Sequence, residues 1–455
     1  MTLLLWLVWY CNIGIASTEA IDAQVVSLEM VLQHIHTHPN WIIGQNTIEA
    51  AEASVMQAQA PFTPTISGQI SEYNNKYPRQ IQEHKVNLYT PIGAELSTSF
   101  ERGTGDFPTY DDRETLSTGE IHFQLLLPLL DGLLVNYAQT DLANAKIDVD
   151  IEKYKQKQQQ LDLLYKATAQ YWKWYIAYQL EDLAKQNMDL AQHRQDILEK
   201  KYALGTISQL YVLDNKRELQ ERTQQWLEAQ QYRKQEEIQL EYYYRDTTGN
   251  MINLRTTRHI PHILDSIIHI SIPKKTDAFL QNRPDIVILD MVLEQITNQQ
   301  RLNNAQKLPK LNLVLESYVP IDEVDKANEQ YFGIKYEHSP LLRKEKGKEM
   351  ELDAKIENIE QYRIKNIDMA SQDIDGILSN LEQLLLQIQE QQRTIQLAEE
   401  VMRLEHIRFT KGDSEILDLI KRENNVVKAK MTLLKLEKQF LLEHAKWNQV
   451  NGFLE

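Results

Sequence analysis

The chain has 455 residues and a formal net charge of −16, with 65 acidic and 49 basic side chains. This balance argues against nucleic acid as a partner, because phosphate binding requires clustered lysine and arginine. The single cysteine, Cys11, excludes a disulfide framework and a cysteine metal site. Glycine and proline are scarce, at 15 and 13 residues, which favours long helices over several compact domains.

Residues 1–20 are predicted to be a secretory signal peptide. An apolar run from Leu3 to Tyr10 is followed by small residues, with cleavage expected near Thr18 or Ala20, although the usual basic start is missing. Lipidation of Cys11 is the weaker alternative, because bulky residues precede it. No later stretch reaches the roughly 18 apolar residues that a membrane helix needs. A mature chain embedded in a membrane would therefore have to use closed β-strands.

The two halves of the chain carry the same series of landmarks. Pro39 and Pro64 lie 25 positions apart, and Pro284 and Pro309 have the same spacing. The first proline of each pair is predicted to begin a helix and the second to open an extended segment. An ordered series of such matches indicates an internal duplication.

Later landmarks continue this series. Pro128 in the first half corresponds to Pro340 in the second, and two leucines follow each of them. The first repeat is therefore predicted to span residues 21–249 and the second residues 274–455. Residues 250–273, rich in arginine, histidine, isoleucine and proline, form the predicted linker.

Four segments alternate between apolar and polar side chains, as strands with two unlike faces do. They lie near residues 64–73, 117–128, 308–319 and 330–340. One apolar and one polar face suit a strand between lipid and a wet lumen. A half-buried strand in a soluble sheet fits the alternation equally well.

Residues 86–101 alternate only in part, and the position of the helices limits their role. If every helix lies on one side of the membrane, the chain must cross it an even number of times between successive helices. We therefore predict an extracellular hairpin or loop for residues 86–101, which leaves two crossings per half and four per chain. Four strands cannot close a barrel, for which about eight is the minimum, so copies of the chain must assemble.

Long helices are predicted between the strands. From Tyr137 to Lys200 there is no proline or glycine, so a helix there could extend about 95 Å at about 1.5 Å per residue. Its aromatic and aliphatic residues recur every three or four positions, which indicates a packed seam. The second half has a counterpart from Lys348 to Lys411. Gly205 and Gly412 are expected to end these helices, and the helices that return after them make both sites predicted hairpin tips.

These features resemble the TolC-like outer-membrane efflux proteins, the outer-membrane factors of tripartite export systems. The resemblance rests on the duplicated unit and the two PLL turns, and it covers nearly all of the chain after residue 20. Its further motifs are RPDI at 283–286, LPKLNL at 308–313 and YALGTISQLYVLD at 202–214.

The resemblance implies a mixed α/β membrane protein. Long antiparallel coiled-coil helices would form an α-helical barrel, and each protomer would add four strands to a trimeric, 12-stranded β-barrel. The implied function is a passive exit duct in the cell outer membrane, with the helical barrel in the periplasm. It would carry small molecules or polypeptides in efflux or type I secretion, without enzymatic activity or a cofactor. The implied partners are further copies of the chain, a periplasmic adaptor, an inner-membrane pump and outer-membrane lipid.

The resemblance also implies a ring of acidic residues at the second hairpin tip. Glu415 and Asp418 have the expected spacing of three, and Asp413 adds another carboxylate. Three-fold symmetry would make this ring attract cations and repel anions at a narrow aperture. The interval from Gly412 to Asp418 is 6 and that from Gly205 to Asp214 is 9, so the second tip is expected to be shorter. Solvated acids at a helix N-terminus are the alternative interpretation.

Other motifs carry no chemistry that the sequence supports. His34 and His38 are four apart and could share a helix face around a metal, but a surface cluster is predicted because no acidic or cysteine partner is nearby. Phosphate loops, nucleophile elbows and metalloprotease motifs are absent from the sequence, so no catalytic residue is predicted. A periplasmic or secreted coiled-coil scaffold without a pore is the main alternative function. It would share the helices but not the strands between matched prolines.

Overall fold

The structure is a computed structural model. It describes residues 24–451 except for 75, 107, 111–112, 116–117, 256–258, 263–271, 273–282 and 322–328. The predicted signal peptide, with Cys11, lies outside the described residues, as does much of the predicted linker.

Contacts divide the chain into two units, which are described separately. The hairpin unit comprises Met1–His38, Lys166–Ser271 and Glu382–Leu442, and the sheet unit comprises Pro39–Tyr165, Ile272–Leu381 and Glu443–Glu455. The described elements in chain order are β1 (Gln24–Val26), α1 (Leu28–Gln33), α2 (Pro39–Ala58), β2 (Thr65–Tyr73), β3 (Arg79–Tyr89), β4 (Glu95–Gly105), β5 (Thr109–Tyr110), β6 (Arg113–Glu114), β7 (Glu120–Pro128), α3 (Tyr137–Ala203), α4 (Gln209–Glu241), β8 (His259–Pro261), α5 (Pro284–Gln306), β9 (Lys310–Pro320), β10 (Glu329–Glu337), α6 (Arg343–Lys411) and α7 (Ile416–Val450).

The two long helices are confirmed. α3 has 67 residues and α6 has 69, so each extends about 100 Å at about 1.5 Å per residue. The single glycine in the middle of α6, Gly376, does not interrupt it, because one glycine costs a helix only about 1 kcal/mol. None of the described helices contains an apolar stretch of the length that a bilayer crossing requires.

Aromatic residues of the α3 seam form the core of the hairpin unit. Trp174 and Tyr171 are fully buried, and they pack with Leu240 at the end of α4 and with Val26 of β1. The Tyr171 hydroxyl donates a hydrogen bond to the Val26 carbonyl oxygen at 3.1 Å. β1 pairs in parallel with β8, so part of the predicted linker is a strand that belongs to this core. The aromatic residues therefore serve packing, as the spacing predicts.

His38 lies in the same unit, where its ring is fully buried. It contacts Tyr242 edge-on at 4.7 Å between ring centroids and stacks on Tyr243 at 6.0 Å. Burial, reinforced by the positive charge of Arg245, lowers the pKa of His38 from 6.5 to about 4. His38 is therefore a core histidine, and the prediction that places it in a surface cluster is wrong. The spacing of the three histidines in the sequence does not indicate that the last of them points into the core.

The lowered pKa of His38 predicts a stability that depends on pH. Below about 6.5 the unfolded chain binds a proton that the folded chain does not bind until the pH nears 4. We therefore expect the midpoint of thermal unfolding, followed by the helical circular dichroism signal, to fall as the pH is lowered from 7 to 5. His38→Phe should remove this part of the pH dependence. The same substitution at the exposed His36 should leave it intact, and equal pH profiles for the wild-type protein and His38→Phe would contradict the assignment.

An antiparallel sheet dominates the sheet unit. Its strand order is β10-β9-β7-β4-β3-β2, and the described registers are continuous across all five pairings. The four predicted strands are present as β2, β7, β9 and β10. Two additional strands, β3 and β4, lie between β2 and β7, so the sheet has six strands where the sequence predicted four.

The assignment of residues 86–101 to an extracellular hairpin or loop is therefore wrong. These residues belong to β3, to β4 and to the turn between them, which is hydrogen-bonded at the end of the sheet where α3 begins. The Asn136 side chain donates to the Pro91 carbonyl oxygen at 3.0 Å. Four strands are compatible with the predicted even number of crossings, as two would be.

Candidate functional site

The two faces of the sheet differ in polarity. On one face, large apolar side chains are exposed, among them Ile66 at 84%, Phe332 at 69% and Ile334 at 64%. Phe123 and Leu315 lie on the same face, since residues that pair across neighbouring strands point to the same side. Moving such a band from water into contact with lipid is favourable by about 25 cal/mol per Å² of apolar surface. We call it the apolar face.

The opposite face, here called the polar face, carries a network of hydrogen bonds. Gln124 of β7 donates to Glu316 of β9 at 2.7 Å. His122 Nδ1 lies 3.1 Å from Glu101 of β4, and its ring stacks on Tyr318 at 4.1 Å between centroids. Polar side chains on neighbouring strands thus satisfy one another's hydrogen-bonding groups.

A loop segment packs onto this polar face at the end remote from the helices. The guanidinium carbon of Arg113 lies 3.5 Å from the centroid of the Tyr318 ring, and its nitrogens pair with Glu329 at 2.9 Å and with Glu120 at 3.5 Å. Thr115 accepts a hydrogen bond from the backbone N–H of Gly103 at 2.7 Å. These contacts hold the segment that contains β6 against β4, β7, β9 and β10.

The hairpin tips lie where the sequence predicts them. Gly205 has φ +73° and Gly412 has φ +83°, a conformation in which glycine has no steric cost. The N–H after each glycine donates to a carbonyl five residues earlier, from Thr206 to Lys201 and from Asp413 to Arg408, which satisfies the end of the helix. Each glycine lies four positions before the first residue of the next helix. The expectation of a shorter second tip is therefore wrong. The two turns have equal length, and the intervals differ because Asp214 lies three residues further into α4 than Asp418 lies into α7.

The predicted aperture acids are all exposed at this second tip. Asp413 lies in the turn, Glu415 immediately precedes α7, and Asp418 is in its first turn. They stand opposite the buried side chains of Ile416 and Leu419 on the same helix. Such positions let the carboxylates face solvent at the favourable end of the helix dipole.

Apolar packing fixes the position of this tip against the other hairpin. Leu198 of α3 is buried with Ile416 and Ile420 of α7. Partly buried side chains that surround these three include Tyr211 and Phe409. The acidic turn is therefore next to an apolar cluster to which both hairpins of one chain contribute.

A buried group of charged side chains, here called the ionic layer, lies next to this apolar cluster along α3, α4 and α7. Its buried members are Arg194 of α3, Asn215, Glu218 and Arg222 of α4, and Glu423 of α7, and the exposed Asn424 of α7 lies at its margin. Arg194 donates to both oxygens of Glu423, at 2.5 and 2.6 Å, and to Asn215 at 2.6 Å. Arg222 donates to Glu218 at 2.9 Å, to Glu423 at 3.0 Å and to Asn424 at 3.2 Å. Two arginines and two glutamates thus neutralise each other among three helices.

Hydrogen bonding decides the ionisation of Glu218 within this layer. Burial raises the pKa of its carboxyl, but hydrogen bonds from Asn424 and Arg222, together with the positive charges of Arg222 and Arg194, outweigh burial, and the net pKa is lowered. Glu218 is therefore charged in the folded protein at neutral pH.

The ionic layer was not predicted from the sequence, although the spacing of the buried residues on α3 carries a signal for it. Ala184, Asn187, Ala191, Arg194 and Leu198 are all buried and recur at intervals of three and four. Polar residues at two of these seam positions mark a place where charges must find partners inside the bundle. Charged and polar residues at seam positions therefore indicate such a layer.

The prolines that anchor the proposed repeats mark boundaries of elements. Pro39 and Pro284 are the first residues of α2 and α5, where proline's missing N–H has no helical partner to lose. Pro64 and Pro309 each precede a strand by one residue, and Pro128 ends β7. Pro340 instead lies in the turn between β10 and α6.

Metal binding at the histidine cluster gains no support. In the part of the chain that the structure describes, no group of three or more His, Cys, Asp or Glu side chains could hold a metal ion. His34 and His36 lie 6.1 Å apart between ring centroids, and His38 is directed into the core.

Comparisons with known proteins agree with this architecture. Residues 45–243 match the family described as "Outer membrane efflux protein". A search of curated protein sequences found no match.

Solved structures share the fold over most of the chain. The outer membrane protein VceC from Vibrio cholerae has 14% identity and a TM-score of 0.68, covering 93% of this chain and 96% of its own. The CmeC outer membrane channel from Campylobacter jejuni has 14% identity and a TM-score of 0.66, covering 93% and 85%. The MtrE outer membrane channel from Neisseria gonorrhoeae has 12% identity and a TM-score of 0.64, covering 93% and 88%. At these identities the likeness concerns the fold alone. Over residues 45–243 the chain is thus similar to the outer membrane efflux proteins, and over most of its length it shares the fold of outer membrane channels.

Proposed function

We propose that the chain is one protomer of a homotrimeric exit duct in the cell outer membrane. Its sheet would form part of a membrane barrel, and its helices would form a tunnel that projects into the periplasm. The duct passively carries small molecules or polypeptides, and the energy comes from an inner-membrane pump joined through a periplasmic adaptor. Efflux and type I secretion both fit such a duct.

The two-faced sheet is the observation that carries this proposal. Its strands have 9 to 11 residues, the length at which tilted strands span a bilayer. The apolar face is exposed and the opposite face carries polar side chains, as lipid on one side and a wet lumen on the other require. A soluble coiled-coil scaffold has no use for an exposed apolar sheet of this size, which would promote aggregation.

Membrane fractionation with unheated gel electrophoresis tests the proposal. We expect the protein in the outer membrane fraction, as an oligomer that dissociates only on heating and has both sheet and helix signals in circular dichroism. A soluble monomer that forms no pore in a planar bilayer would overturn the proposal and favour the scaffold.

We further propose that Glu415, Asp418 and Asp413 ring the periplasmic aperture. Removing the first two charges with Glu415→Gln and Asp418→Asn should weaken block of the single-channel current by a divalent cation at least about tenfold, or about 1.4 kcal/mol. Glu390→Gln is the control, because Glu390 is an exposed acid in the middle of α6 that pairs with Arg393. Unchanged cation block in the double variant would remove these residues from the aperture.

The tips would also receive the adaptor, with Gly205 and Gly412 at the contacting turns. Opening is then an iris-like rearrangement of the hairpins. Within one chain the ionic layer ties α3 and α4 to α7 just behind the tip. We therefore expect these three helices to move together.

A further inference from the structure

We propose that a three-fold assembly of this chain closes a barrel of eighteen strands, not twelve, and so has a wider outer exit for bulkier cargo. This inference rests on the proposed duct. It concerns the two strands, β3 and β4, that have no counterpart among the strands of the second half. The first half contributes four strands to the six-stranded sheet and the second half two.

β3 and β4 have the length of membrane strands and sit inside the wall. Each has 11 residues, and each is paired along its length with a neighbour on both sides. A hairpin that only capped the barrel would leave β2 paired with β7, whereas here β2 reaches β7 only through β3 and β4. The additional hairpin is therefore part of the wall.

The side chains of β3 and β4 also continue both faces of the sheet. Val86 and Leu96 extend the exposed apolar face, while Ser99 and Glu101 are buried on the polar face, where the Ser99 hydroxyl donates to Glu101 at 2.6 Å. His84 also lies on the apolar face, where its ring stacks on Phe100 at 6.3 Å between centroids, and towards the end remote from α3 this face carries Gln82 and Arg102. Lipid would thus meet apolar side chains on all six strands in the half of the sheet nearer α3.

The ends of the hairpin show that it spans the full height of the sheet. The turn at residues 90–94 meets the start of α3, where an ideal Cβ on Gly93 would lie 2.2 Å from the Gly132 carbonyl oxygen. The remote ends of β3 and β4, at Arg79 and Gly105, pair with each other and with Tyr73 of β2 at the opposite end. The chain therefore crosses four times between α2 and α3.

The two edges of the sheet need partners. Among the residues that the structure describes, β2 and β10 each pair on one side only, and nearly all their residues are exposed. Open edges are not tolerated in a bilayer, because each unpaired N–H and C=O costs several kcal/mol. β2 of one copy paired with β10 of the next satisfies both edges, and three such copies close a ring.

The number of strands sets the width of that ring. With strands about 4.8 Å apart and tilted by about 40°, eighteen strands give a barrel about 36 Å across between backbones, and twelve give about 24 Å. The wider barrel leaves room inside for β5 and β6, which lie on its polar face and are fastened there by Arg113.

Electron cryo-microscopy of the purified assembly in lipid, with native mass spectrometry to count copies, tests the inference. We expect three copies and a closed barrel about 36 Å across, with β3 and β4 in its wall. The matched variant lacks residues 74–105, which joins the end of β2 to the loop before β7 at the same end of the sheet. It should form a barrel about 24 Å across, a reduction of about one third.

The outcomes separate this inference from the proposed function. A trimeric pore with a twelve-stranded wall and residues 79–105 outside it overturns the eighteen-stranded barrel but leaves the duct. So does a closed wall built from a number of copies other than three. Failure to form any membrane assembly overturns both. If the deletion variant does not fold, the strand count of the wild-type assembly decides alone.

Discussion

Replacing Arg222 by methionine is expected to lower the free energy of unfolding by about 3–5 kcal/mol. Arg222 is 1% exposed and donates to Glu218, Glu423, Asn424 and the Asn187 carbonyl. Methionine fills much of the same volume but leaves two buried carboxylates with too few donors. That loss, and not the removal of a favourable ion pair as such, makes the expected effect large.

The measurement is the denaturant midpoint of the helical circular dichroism signal in detergent, compared with an exposed arginine of the same helix. Arg217 is 64% exposed and pairs with Glu221 at 3.1 Å. Arg217→Met should therefore cost no more than about 0.5 kcal/mol. Equal midpoints for the two variants would show that the ionic layer is not buried as described.

The pH dependence of Arg222→Met provides a second readout. In the wild-type protein the lowered pKa of Glu218 contributes stability that is present at neutral pH and is lost only as the pH falls through that lowered pKa. Without Arg222, burial raises the pKa of Glu218, and protonation relieves the uncompensated charge. The stability difference from wild type should therefore be largest at pH 7 and should shrink towards pH 4.

Gly93→Ala is expected to prevent most of the protein from assembling. Gly93 has φ +81°, which costs an alanine about 1–2 kcal/mol, and the new methyl group would lie 2.2 Å from the Gly132 carbonyl oxygen. Gly93 and Gly132 both lie in turns at the end of the sheet where α3 begins. To avoid the clash, the β3–β4 turn must move away from the start of that helix. The yield of heat-dissociable oligomer on an unheated gel measures the effect.

Gly347→Ala is the matched control for this prediction. Gly347 lies near the start of α6 with open space around the position of a Cβ, and alanine there should stabilise the helix by up to about 1 kcal/mol. Wild-type yield from Gly93→Ala would mean that residues 90–94 do not meet the start of α3. That result would return residues 86–101 to the exposed loop that their sequence alone predicts.

Local sequence determined the helices, the tips and four of the strands. Leucine, glutamine and lysine favour helix, and a long run of them without proline or glycine predicts one. This composition determined α3 and most of α6 as helices. Gly205 and Gly412 fixed the turns, since only glycine adopts their positive φ without cost. Period-two alternation fixed β2, β7, β9 and β10, because it sorts side chains onto two faces wherever the strand lies.

Only the tertiary structure decided how many strands share the sheet and which charges are buried. Alternation of apolar and polar residues indicates that a segment has two faces, but it does not indicate which strand the segment pairs with. The positions of β3 and β4 in the sheet could therefore not be predicted from their own residues. Glu218 and Arg222, four apart on a helix, have the spacing of an ordinary surface pair. Their burial comes from Arg194 and Glu423, which are distant in sequence and reach them only once three helices pack together. Pairing and burial are properties of neighbours, and neighbours exist only in the folded chain.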